Sequence, residues 1–402
     1  MSENRVTRRL VVGLGALIVC AAMGCATPTA THETADMSFD DAAAAATDGL
    51  VSQTQKLPAF LAKVEAKLVK KGLVTDPMID AASGQQTGVT KQLEQRVVDR
   101  LATKYAQFDV LPFQVGNLGK AQYLLTGTMN RVRDAQSAKR GAFLINLVLT
   151  ELKTGIVVAQ ASARARDEGL DTNPTPYYRD SPVLVKDKVV EGYIRTSQTP
   201  PGQPADTTYF ERVATAPLIN EATIAYNSAR YQDALSMYKN ALATPAGEQL
   251  RVLNGIYLAN WQLGRAADAE QAFGKIVALG LANNNLGVKF LFNPGSTDFW
   301  SDAKVSGPYP IWLRQIARQA AAAKVCMNVV GHTSHTGSEP VNDRLSQQRA
   351  AYIKQRLEAE GPELSARMRA TGMGFRENIV GTGTDDARDA LDRRVEFKVN
   401  AC

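Results

Sequence analysis

The sequence predicts an α+β multidomain protein: an N-terminal α/β sandwich, central helical-hairpin repeats, and a C-terminal domain of order βαβαββ. Three observations predict it. Strand and helix periodicities alternate between residues 40 and 167. Residues 229–241 are echoed at 264–276, an offset of 35 residues. After Leu286 the pattern runs strand, helix, strand, helix, strand, strand. At 402 residues the chain has room for two or three domains. The net charge of +6 is spread rather than clustered, which argues against a nucleic-acid partner and leaves an acidic polymer or a membrane surface compatible.

The N-terminus sets the expected compartment. Arg5, Arg8 and Arg9 precede an apolar run at residues 10–22. That run is shorter than the ~20 apolar residues a membrane span needs and has the length of a secretory h-region. Ala22-Met23-Gly24-Cys25 follows and resembles the lipobox of bacterial lipoproteins, with Ala22 where Leu is usual. The resemblance implies that residues 1–24 are a lipoprotein signal peptide and that Cys25 carries the lipid. Ala26 rather than Asp follows Cys25, which implies a protein anchored to the outer membrane by its lipid and facing the periplasm. Residues 25–39, rich in Thr and Ala with no apolar period, read as a tether. Of the four cysteines, Cys20 leaves with the signal and Cys25 is acylated. Cys326 and Cys402 remain, and in an oxidising periplasm they are expected to form a disulfide.

Residues 40–167 form the first expected domain. Residues 40–55 and the segment after them read as helical, 73–79 as a strand, and 80–88 as a polar turn. At 92–104, Leu93, Val97, Val98 and Leu101 share a helical face. Residues 108–113, 121–132, 143–152 and 156–161 read as strands, the last two joined by a Lys153-Thr154-Gly155 hairpin turn. The element order, with Ala121-Gln-Tyr-Leu-Leu-Thr-Gly-Thr128, resembles periplasmic lipoprotein domains of the CsgG, LpoB and TolB N-terminal type. That resemblance implies protein binding and assigns no catalytic residue.

Residues 168–210 carry Pro174, Pro176, Pro182, Pro200, Pro201 and Pro204 and read as a Pro-rich extension with little regular structure. Residues 211–283 read as all-helical. Ala229, Tyr231, Ala234, Tyr238 and Ala241 align with Gly264, Ala266, Ala269, Phe273 and Ile276. This pattern resembles tetratricopeptide repeats, whose period is about 34 residues. It implies helical hairpins that either present a peptide groove or act as a spacer.

The C-terminal region, 284–402, carries the most specific motifs. They are Phe292-x-x-Gly295-Ser296-x-x-Phe299, Gly331-His332-Thr333, Gly337, Asn342-x-x-Leu345-Ser346-x-x-Arg349-Ala350, Gly372-x-Gly374 and Arg393-Arg394-Val395-Glu396-Phe397. Together they resemble the OmpA-like domain over about 115 of the 402 residues. The resemblance implies non-covalent binding of peptidoglycan through the diaminopimelate of its stem peptide. The implied site is Ser334, Thr336, Asn342, Leu345 and Arg349, with the Arg349 guanidinium taking the ligand carboxylate. Two positions depart from the family pattern. Asp392 stands where Asn is usual, and Ser334 stands where an Asp would hold the ligand ammonium. Loss of one charge-assisted bond, about 1.5–3 kcal/mol, predicts affinity lower by about 10- to 150-fold. Glu339 and Asp343 are the acids nearest in sequence that could compensate.

Other chemistries find no support. His332 and His335 lie close together, but no Cys or carboxylate cluster flanks them in sequence, so no metal site is expected. Ser301-Asp-Ala-Lys304 and Lys153-Thr154-Gly155 occur in the wrong order and in different domains for a serine acylase. Gly381-Thr-Gly383 opens no apolar helix, so no phosphate loop is expected. The expectation is a non-enzyme without cofactor that links outer membrane to cell wall. The alternative is a periplasmic interaction scaffold, or an activator for envelope assembly, secretion or wall synthesis, with weakened wall binding.

Overall fold

The computed structural model describes residues 36–54, 70–132, 141–386 and 388–402. The signal peptide, the lipobox, Cys25, most of the tether and the helix expected after residue 55 lie outside the described residues. Among the described residues, no helix is long and apolar enough to cross a membrane.

The N-terminal region builds a six-stranded sheet against two helices. Helix α1 (Phe39–Ser52) is capped by Ser38, whose hydroxyl accepts from the Asp41 N–H, and it buries Ala42, Ala46 and Leu50 at one-turn spacing. The chain then forms β1 (Lys71–Thr75) and β2 (Ile79–Asp80). The single strand expected at 73–79 is interrupted at Asp76-Pro77, because proline has no N–H to give a ladder. Helix α2 (Gly88–Lys104) starts at a Thr87/Thr90 capping box and buries Leu93, Val97 and Leu101. Strands β3 (Phe108–Leu111), β4 (Tyr123–Val132), β5 (Ala142–Glu151) and β6 (Val157–Arg166) complete the sheet, in order β3-β1-β4-β5-β6 with β2 beside β4. β4, β5 and β6 form an antiparallel meander, while β1 lies parallel to β3 and β4. α1 and α2 cover one face, packing on Leu73, Leu125, Ile145 and Leu147.

The opposite face corrects the reading of residues 168–210 as little-structured. This segment forms helix α3 (Lys188–Thr196), flanked by short helical turns at Pro176–Asp180 and Thr207–Phe210. α3 is capped by Asp187, which accepts from the N–H groups of Val189 and Val190. Val189, Val190 and Tyr193 of α3, with Tyr209, pack on Val74 and Leu124 from the second face of the sheet. The prolines lie outside α3, and its apolar i, i+1, i+4 spacing is what folds it.

Four helices follow: α4 (Ala216–Asn227), α5 (Tyr231–Leu242), α6 (Leu250–Gln262) and α7 (Ala266–Ala282). Each packs against the next. The repeated positions Ala234, Tyr238, Ala241 and Ala269, Phe273, Ile276 are all fully buried.

The C-terminal sheet has four strands in order β7-β10-β8-β9. They are β7 (Gly287–Val288), β8 (Cys326–Gly331), β9 (Met368–Gly372) and β10 (Val395–Asn400). β7 is shorter than the strand expected at 288–292, whose end instead turns into a Phe292–Phe299 bridge. Helices α8 (Tyr309–Ala323) and α9 (Glu339–Glu360) pack beside one another, and α9 also packs on β8 and β9. Cys326 and Cys402 are joined by a disulfide, with Cα atoms 5.1 Å apart. α4–α7 and this sheet share one continuous apolar core, reaching from Tyr177 to Phe397. Within it the rings of Phe273 and Trp312 stack at 5.6 Å, and the Trp312 indole donates to the Tyr257 hydroxyl at 2.8 Å.

Two glycines bring α9 down onto the sheet end. Gly331 and Gly372 are register partners at the end of β8 and β9. A Cβ at Gly331 would lie 2.3 Å from the Ser346 carbonyl oxygen, and one at Gly372 would lie 2.4 Å from the Gln347 nitrogen. Only glycine permits this approach, and it places α9 over the turn that leaves β8.

Candidate functional site

The site is assembled where β8 ends. Beyond Gly331 the backbone is pinned by His332 N–H donating to the Arg394 carbonyl at 3.0 Å and Thr333 N–H donating to the Gly374 carbonyl at 2.9 Å. Ser334 to Ser338 then turn into α9, helped by Gly337 in the left-handed region. Asn342, in the first turn of α9, ties this turn down by donating to the carbonyls of Thr336 at 2.8 Å and Ser338 at 3.2 Å. Leu345 is half-buried one turn before Arg349 on the same helix.

Arg349 is 5% exposed. Its Nε donates to the Ser296 carbonyl at 3.1 Å and its Nη2 to the Asn293 carbonyl at 3.2 Å. The guanidinium also lies over the Phe292 ring, 4.8 Å from its centroid. Among the described residues no acceptor takes the remaining N–H donors of the fork. Burial lowers its pKa to about 10, with the Arg393 charge adding to this and the Asp385 charge opposing it. Arg349 is therefore a charged, fixed, partly unsatisfied fork at neutral pH.

Ser334 is also 5% exposed. Its hydroxyl donates to Asp385 Oδ1 at 2.5 Å and accepts a long bond from the Thr336 hydroxyl at 3.4 Å. Arg393 reaches the same Asp385 oxygen at 2.5 Å. Asp385 arrives on a loop organised by two buried carboxylates. Asp392 accepts from the N–H groups of Ile379, Val380 and Gly381 at 2.6, 3.0 and 2.7 Å. Asp389 accepts from those of Thr382, Thr384 and Asp385 at 3.0, 2.9 and 3.1 Å. Gly381, Gly383 and Asp385 itself all take left-handed backbone, which bends the loop toward Ser334.

Glu339 and Asp343, the acids nearest Ser334 in sequence, are both engaged by another cation of the chain. Both pair with Arg376, at 3.2 and 2.6 Å. The acid beside Ser334 is Asp385, 51 residues away in sequence. No local spacing reveals it, although the run Gly381-Thr-Gly-Thr-Asp-Asp386 marks a tight loop rich in acid.

The two histidines part company. His335 is exposed and its ring lies 4.2 Å from that of Phe375. His332 is buried, with Nε2 3.7 Å from Glu396 and Nδ1 4.0 Å from Glu377. These carboxylates come from distant positions that sequence proximity did not suggest, and Lys398 Nζ lies 3.3 Å from each. A cation of the chain itself thus already bridges the acids. Burial lowers the His332 pKa, which favours the neutral ring.

Residues 291–391 match the OmpA family, so the C-terminal part of the chain is an OmpA-family domain. A probable lipoprotein of Escherichia coli, YiaD, is 38% identical over 77 residues, which cover 19% of this chain and 34% of that protein. The chain thus spans about a third of that relative's length. A peptidoglycan-associated lipoprotein from Burkholderia pseudomallei is 24% identical, over 28% of this chain and 89% of that one, with a TM-score of 0.24. The cell wall anchor of the T6SS from Pseudomonas aeruginosa is 25% identical, over 29% and 80% of the two chains, also with a TM-score of 0.24.

Proposed function

We propose that this protein is a non-catalytic envelope lipoprotein that grips peptidoglycan through its C-terminal domain, with the diaminopimelate side chain of the stem peptide as ligand. The observation that carries the reading is Arg349. A cation 5% exposed, held by two backbone carbonyls and an aromatic face, has no carboxylate partner among the described residues. Its unused donors match the geometry of an incoming carboxylate. The OmpA-family match over residues 291–391 supports the same reading. In this reading Cys25 bears the lipid and holds the chain to the outer membrane from the periplasmic side. The N-terminal sheet, of CsgG/LpoB type, and the tetratricopeptide-like helices then act as spacer and docking surface for a periplasmic protein.

Residues 26–402, made as a soluble chain, should co-sediment with diaminopimelate-type sacculi. Arg349→Ala should lower the affinity by about 10- to 150-fold, the equivalent of one charge-assisted bond. Wild-type protein that stays in the supernatant at physiological salt overturns the reading.

A further inference from the structure

On the wall-binding reading above, we infer that Asp385 supplies the anion for the ligand ammonium that residue 334 itself does not supply. The carboxylate sits on the Ser334 hydroxyl at 2.5 Å, so the charge is displaced by one side chain from the backbone position that lacks it. Ser334 acts as the fastener: its hydroxyl hydrogen bond fixes the carboxylate over the turn. Asp385 is 44% exposed while Ser334 and Arg349 are each 5% exposed, so the acid is the accessible part of the trio.

Charge balance leads to the same residue. The Arg393 charge disfavours that of Arg349, and Asp385, which pairs with Arg393, opposes this. Without it the site would present two guanidinium groups and repel an ammonium. The bonds from Ser334 and Arg393 both fall on Oδ1. A carboxylate has several acceptor positions, so Oδ2 stays available for a third donor. The loop is built to hold this position: Asp389 accepts from the Asp385 N–H, and Asp is among the few side chains that tolerate its left-handed backbone.

The experiment uses residues 26–402 and two soluble probes, meso-diaminopimelate and pimelate, which keeps the carboxylates and lacks the amino groups. Binding is followed by NMR titration. Asp385→Asn keeps a side chain suited to the left-handed backbone and removes the charge. It should weaken diaminopimelate about 10- to 150-fold and leave pimelate unweakened, which also shows that the variant is folded. Adding Ser334→Asp to Asp385→Asn should restore most of the diaminopimelate affinity. If Asp385→Asn binds diaminopimelate like wild type while Arg349→Ala does not, the role of Asp385 is refuted and wall binding stands. If wild type binds neither probe nor sacculi, both fall together. If Asp385→Asn weakens both probes alike, Asp385 merely shapes the loop and its role as the anion is refuted.

Discussion

Glu94 on α2 shows how one carboxyl can set the pH response of this fold. Its Oε2 accepts from the Met78 N–H at 3.0 Å, in a half-buried position. Burial pushes its pKa up to about 7, and the nearby Asp76 charge adds to the rise. Asp76 is itself pushed up to about 6 by burial, against the pull of Arg251 and the Tyr209 hydroxyl. An acid whose folded pKa exceeds its unfolded value destabilises the fold once the pH passes the unfolded value, because only the unfolded chain ionises freely. For Glu94 the cost begins near pH 4.5 and is complete above about 7. Glu94→Gln retains an acceptor for Met78 and removes the charge. It should raise stability by about 3 kcal/mol at pH 8 and leave it unchanged at pH 4. Urea titrations at the two pH values check this; a gain at pH 4 equal to that at pH 8 would exclude the ionisation argument.

At the scale of elements, the approach of α9 to the ends of β8 and β9 decides where Arg349 stands. Gly331→Ala would put a Cβ against the Ser346 carbonyl, which is backbone and cannot step aside without moving the helix. The expected outcome is destabilisation of about 1–3 kcal/mol together with weaker diaminopimelate binding, measured by thermal unfolding and by the NMR titration. Elements with strong periodicity could be read from the chain alone. Leu93, Val97 and Leu101 mark α2, and Leu345, Arg349, Ile353 and Leu357 mark α9. β6 runs past the expected end at residue 161, through Ala-Ser-Ala-Arg-Ala-Arg166, whose weak strand preference is overridden by pairing with β5. The prolines that make residues 168–210 look irregular lie outside α3, whose own spacing is helical. At the site, the candidate positions Arg349, Ser334, Thr336 and Asn342 come from the family resemblance carried by one short stretch of sequence. Asp385 does not, since its place depends on six N–H bonds to Asp389 and Asp392 that close a loop far along the chain.

Across the molecule, the segment at 168–210 belongs to two cores at once. Tyr177, Tyr178, Val183 and Val185 enter the core of α4–α7 and the C-terminal sheet, while Val189, Val190, Tyr193 and Tyr209 cover the N-terminal sheet. Asp187 joins them directly: one carboxylate oxygen caps α3 and the other accepts from the Leu250 N–H of α6 at 3.1 Å. The disulfide ties the C-terminus back to β8, its cysteines 76 positions apart in sequence. Cys402→Ser should lower stability by about 2–4 kcal/mol, and reductant should destabilise wild type while leaving the variant unaffected. Calorimetry with and without reductant tests this. The continuous packing also bears on mechanics. If, as proposed, the chain is tied to a membrane at one end and to the wall at the other, tension would enter at α9 and leave near Met37, which bridges to Ala165 of β6. Between those points the proline-containing segment is packed rather than slack, so under the proposed function the described residues would act as a spacer of set length between Arg349 and the start of α1.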